Sequence, residues 1–144
     1  MHSDADRNEI FDRVRRLTPD ARAVWGTMNA PQMVVLITDA TRMATGDLVV
    51  RGRKHPARLP PLKQLFIYVL PMPRGLPTAR ELTSRSPASY TGEIEAFLGA
   101  AQTFLSRDQG TPWPAHPIFG AMSRRAWGVL VYKHCDHHLR QFGV

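Results

Sequence analysis

Apolar residues recur along most of the chain at intervals of three and four and almost nowhere alternate, a pattern that predicts helices and no sheet. Ile10, Phe11, Val14 and Leu17 line one face of a first helix over residues 6–16, with Arg13 and Arg16 turned to water. Thr18 and Pro19 stop it and open a short helix over 20–25, which Gly26 ends. Asn29 and Gln32 have the spacing of a capping box. The stripe Met33, Leu36, Ile37, Ala40, Met43 and Ala44 then carries a second main helix to about Thr45, released by Gly46.

Residues 46–60 lack a helical period and read as a long connection. Leu62, Leu65, Phe66 and Val69 mark a short bundle helix starting near Pro60 and Pro61 and halted by Pro71 and Pro73. From Ser86 and Pro87 a further helix presents Tyr90, Ile94, Phe97, Leu98, Ala101 and Leu105 inward, keeps Glu93 and Glu95 on its polar side, and carries Gly99 at a close helix crossing. After a proline-rich link, Ser123 caps a terminal helix over 124–141 and Gly143 ends it. The fold class is all-α, four main helices with a short additional one and long connections, in one domain of 144 residues.

Composition adds limits. With 43% hydrophobic and 22% charged residues, the chain has the mixture of a folded domain. Its net charge of +7 would attract nucleic acid, an anionic membrane or an acidic small molecule alike. The basic groups stand apart as Arg13/Arg15/Arg16, residues 51–58 and Arg124/Arg125, without zinc-finger spacing or interleaved aromatics, so nucleic acid is not the expected partner. The lone Cys135 forms no internal disulfide and suits a reducing cytoplasm. The charged amino terminus does not resemble a signal peptide, and the apolar runs 34–37 and 65–70 are too short to span a bilayer, so the expectation is a soluble cytoplasmic protein with no membrane partner.

Candidate chemistry lies on the terminal helix. At about 100° per residue, Trp127, Leu130, Val131, His134, His138 and Gln141 share one face, with Lys133, Asp136 and Arg140 opposite. His134 and His138 are one turn apart, so their imidazoles can converge on one ion or substrate, while His137 stands at the margin. They can equally be a polar core pair bonded to carbonyls or a carboxylate, and burial favours neutral rings in both cases. Asp39 is a surface residue or a polar group beside an interior site. His116 is a turn residue or a donor ahead of the terminal helix, His55 is solvated or faces an anion, and Cys135 is a small core filler.

The segments Trp25-Gly26-Thr27-Met28 and Pro31-Gln32-Met33, with His116-Pro117-Ile118-Phe119-Gly120-Ala121-Met122-Ser123, Trp127-Gly128 and Tyr132 to Gly143, resemble the DinB/YfiT-like superfamily. The resemblance is to a bacterial branch ending in HPxFGxLSxxxWGxLxYxHxDHHLRQFG, with Met122 where the branch has leucine. It implies an up-down-down-up four-helix bundle, a homodimer, and a divalent ion held by three histidines, two of them matching His134 and His138. The third falls at Leu36, which has no lone pair. Zinc or nickel would then be weakly held or absent, unless Asp39 supplies a carboxylate instead of pairing with another side chain. The implied activity is metal-assisted thiol transfer or hydrolysis of a small molecule, with Arg51, Arg53 and Arg58 orienting an anionic substrate. The other class is a bundle that binds a small ligand or dimerises without catalysis.

Overall fold

The computed structural model describes residues 1, 3–52, 54–75, 78–108 and 110–144. Its first helix, α1 (Asp4–Arg16), begins two residues before the predicted start at Asp6. Ser3 accepts from the Asp6 amide at 3.1 Å while the Asp6 carboxylate accepts from the Ser3 amide at 3.3 Å, a closed capping box around an otherwise polar first turn. Arg13, expected in water, is buried: it reaches across to Asp136 at 2.8 Å and the Val144 carbonyl at 2.9 Å, and also holds Glu9.

The helix expected over 20–25 does not form, because that backbone is spent on another partner. The Val24 amide donates to the Gln141 carbonyl at 2.7 Å, the Trp25 carbonyl accepts from the Gln141 side chain, and Gly26 turns with φ 79°. The next helix, α2 (Ala30–Thr45), matches its predicted bounds, with Asn29 and Gln32 closing the capping box and Gly46 left-handed at the end. Twelve of its sixteen residues are buried, so α2 is surrounded rather than one-faced. Thr38 and Thr41 tolerate this by donating to the carbonyls of Val34 and Ile37.

A long crossover follows, with 3-10 turns at Pro56–Arg58 and Arg80–Leu82 and a short helix α3 (Leu62–Gln64) continued by a π turn over Leu65–Val69. Helix α4 (Tyr90–Ser106) starts at Ser89, whose hydroxyl accepts from the Gly92 amide, three residues after the predicted Ser86 start. Its polar side is not as predicted, since Glu93 is buried against Arg85 at 2.6 Å, and this hydrogen bond holds the carboxyl below its ordinary range. A methyl group placed on Gly99 would meet nothing, so Gly99 marks no close crossing. It lies instead in a groove of about 360 Å³ between α2 and α4. The last helix, α5 (Arg124–Gln141), has its predicted bounds, with Ser123 capping the Ala126 amide and Gly143 at φ 73°.

Side-chain pairs give the helix directions. Glu9 meets Tyr132 and Arg13 meets Asp136, so α1 and α5 run parallel. Phe11 packs edge-on to Phe97 and Tyr90 reaches the Leu17 carbonyl, so α1 and α4 are antiparallel. Arg107, just past α4, donates to the Thr45 carbonyl at the end of α2 at 2.7 Å, so α2 and α4 run parallel and the bundle is up-down-down-up, with these two its most extensively packed pair. The described residues contain no strand, only a single bridge between His116 and Gly120. No described helix is long and apolar enough to cross a membrane.

Arg13 ties α1 to α5 and to the chain end from a site 8% exposed. Arg13→Ala leaves the Asp136 carboxylate and the Val144 carbonyl without this donor, and urea unfolding should show a loss of about 2–4 kcal/mol. Arg13→Lys, lacking the fork that serves several acceptors, should recover less than half of it.

Candidate imidazole site on the terminal helix

Four elements meet around the second half of α5. The Lys133 ammonium reaches the carbonyls of Ile67 at 3.0 Å and Leu70 at 2.5 Å, capping the π turn after α3 and laying the crossover along α5. Residues beyond that turn come to the histidines: Met72 through a backbone hydrogen bond to the His137 ring, and Arg74 through its charge. The Arg74 guanidinium stacks 3.9 Å above the Trp25 ring, and Trp25 in turn meets His137 edge-on at 5.8 Å.

Within this frame the rings of His134 and His138 lie 4.7 Å apart at 80°, and those of His137 and His138 5.1 Å apart at 89°. The one-turn spacing thus brings the predicted pair together, with the marginal His137 joining it. A relay fixes the His138 tautomer. Gln141 Nε2 donates to the Trp25 carbonyl at 2.7 Å, which orients the amide so that its Oε1 accepts from His138 Nδ1 at 2.9 Å. His138 therefore carries its proton on Nδ1, which makes Nε2 the lone-pair nitrogen.

His116 is the turn residue that its position suggested, and it also adjoins the site. Its Nδ1 accepts from the Ile118 and Phe119 amides at 3.1 and 3.2 Å, while its ring packs against Trp127 at 5.2 Å. Burial pushes its pKa down to about 4, with the Lys63 charge adding to the effect. His134 is held well below its ordinary value, chiefly by desolvation and then by His138, His137 and His116. Desolvation also lowers His137 and His138. Near neutral pH the cluster is uncharged.

The other candidates lie elsewhere. Asp39 is buried on the α2/α4 side, where Arg85 holds it at 3.4 Å and Arg42 at 3.6 Å, so it is a paired carboxylate of the bundle wall. His55 accepts from the Ala57 amide at 3.1 Å and caps the turn Pro56–Arg58. Arg58 donates to the Pro117 carbonyl, Arg51 is exposed beside Glu81, and Arg53 falls outside the described residues. Among the described residues, Arg74 brings its charge to His137. Cys135 is 1% exposed and desolvation pushes its thiol up to about 12, as suits a core filler.

Leu36 is a core residue, 1% exposed. Among the described residues no group of three or more His, Cys, Asp or Glu side chains is arranged to hold a metal ion. The resident three-histidine ion implied by the resemblance does not fit this chain. Sequence reasoning named Trp25 and Gln141 without their roles here and missed Arg74. Only Gln141 left a signal, standing three residues after His138 on the same face.

The family described as "Protein of unknown function (DUF1569)" matches residues 68–143, a span that includes α4, α5 and every histidine of the cluster. No curated protein and no solved structure matches the chain.

The depressed histidines set the sign of the pH response. Unfolding restores each ring toward its ordinary 6.5, so the unfolded chain binds more protons and stability falls as pH drops below that value. Urea titrations should lose about 1 kcal/mol between pH 7.5 and 5.5 for each of His116 and His134. His134→Gln should flatten the slope, and a slope unchanged by it would place the titration elsewhere.

Proposed function

Because the chain belongs to the DUF1569 family, whose match takes in the whole of α5, we propose from its own geometry that it is a small-ligand-binding helical bundle with a metal-free imidazole site. The ligand class is a small molecule with a weakly acidic proton donor, such as a thiol, beside an anionic group. The observation that carries this is the relay from the Trp25 carbonyl through Gln141 to His138. It supports a neutral acceptor nitrogen held in one tautomer, as a site built to receive a hydrogen bond requires. His134 lies behind it as a second neutral ring, and the Arg74 guanidinium on Trp25 supplies positive charge for the anionic group.

A second reading rests on the spacing of the rings. At 4.7 Å between centroids, His134 and His138 suit two ligands of one ion, so zinc or nickel could be completed by a donor from the ligand itself. Mercaptoacetate carries both groups and separates the readings. With chelator-treated protein, it should raise the melting temperature saturably where acetate does not. His138→Ala should abolish the shift, and Gln141→Leu should weaken the apparent affinity roughly tenfold. A shift that appears only with added zinc or nickel supports the ligand-completed ion. No shift under either condition removes both.

The missing third donor gives a separate check. Leu36→His should cost about 2–4 kcal/mol of metal-free stability by burying a polar ring. It should also yield near-stoichiometric zinc, measured by elemental analysis of tag-free protein, that His138→Ala removes again. Protein that folds yet takes up no zinc would mean that position 36 does not face the two rings.

A further inference from the structure

The crossover between α2 and α4 is unlike the rest of the molecule in both charge and exposure. Residues 48–80 hold seven of the nineteen basic side chains and none of the twelve acidic ones. The remainder carries twelve of each sign, so the whole +7 excess of the chain lies in this segment. The same segment supplies most of the exposed apolar surface: of nine exposed large hydrophobic residues among those described, seven fall between Val49 and Val69.

Their arrangement follows a helical stripe. Leu62, Leu65, Phe66 and Val69 have the spacing that would ordinarily face a core, yet they face outward, Phe66 37% and Val69 69% exposed. The inward anchor is Ile67, 1% exposed, on the other side of the turn. Basic groups border this face. Lys63 reaches the Ala121 carbonyl, Arg125 lies over the Tyr68 ring at 5.9 Å, and Arg51, Lys54 and Arg58 are exposed just upstream.

We propose that α3 and its π turn dock the protein on an anionic membrane surface, with Leu62, Leu65, Phe66 and Val69 entering the interfacial region and the basic residues of the crossover meeting lipid headgroups. A second copy fits this face poorly, since a symmetric contact would set two segments of like charge against each other. Nucleic acid satisfies the charge but offers no apolar phase for the leucines and valine. An anionic bilayer satisfies both, and lying on its surface needs only a short amphipathic element, not a spanning helix. The sequence-based expectation of no membrane partner rested on the length needed for crossing and does not bear on surface docking.

The test is flotation of the full chain with phosphatidylcholine vesicles, with and without one third phosphatidylserine, at low and high salt. Binding should require phosphatidylserine and weaken as salt rises. Phe66→Asp with Val69→Asp should lower the bound fraction roughly tenfold by removing the inserted groups, and Arg51→Glu with Lys54→Glu should do so by opposing the headgroups. All four positions are exposed, and unchanged helical circular dichroism confirms that the variants fold. Three results would each overturn the proposal: no preference for anionic vesicles, a solution dimer that dissociates on Phe66→Asp, or RNA binding in preference to vesicles that survives Phe66→Asp with Val69→Asp.

Discussion

Helices α2 and α4 run in the same direction, and most of the molecule's character follows from that constraint. A parallel pair cannot be joined by a tight turn. The chain must return along the full length of the bundle, and that return is held by Ala57, Ile67 and Leu82 buried in the core, by Lys133 on three carbonyls, and by Arg58 and Lys63 on the carbonyls of Pro117 and Ala121. Even so, the connection keeps much of its own surface in water. It also brings Met72 and Arg74 to the end of α5, so the same crossover helps to build the imidazole site.

Much of the architecture was legible because caps and periods are local. Asn29 with Gln32, Gly46, Ser123 and Gly143 mark α2 and α5 through hydrogen bonds closed within a few residues, and both helices keep their predicted bounds. The failures share a cause. Periodicity shows which residues occupy one face but not what that face meets. Arg13 and Glu93 sit where polar residues normally meet water, yet each is buried against a partner far along the chain or on another segment. The stripe of α3 erred the other way: four apolar residues at core spacing have no core to enter. Residues 20–25 lost their helix to a partner more than a hundred positions away.

The histidine site divides along the same line. The convergence of His134 and His138 is a property of one helix and could be read from spacing alone. What makes the pair chemically particular is contributed from outside: the Trp25 carbonyl orients an amide, the amide orients a ring, and the crossover sets a guanidinium at the edge. Burial then keeps the imidazoles neutral. His138 is thus held in one orientation by its partner amide.

Cys135 carries a last consequence. A sulfur sealed in the core, its thiol pushed up to about 12 by desolvation, stays protonated at neutrality. Neither oxidants nor other thiols find a nucleophile there in the folded protein. Inferring a reducing compartment from one unpaired cysteine presumes a reactive group that needs protection, and this fold supplies the protection itself. In the native fold this cysteine does not by itself tie the chain to a reducing compartment.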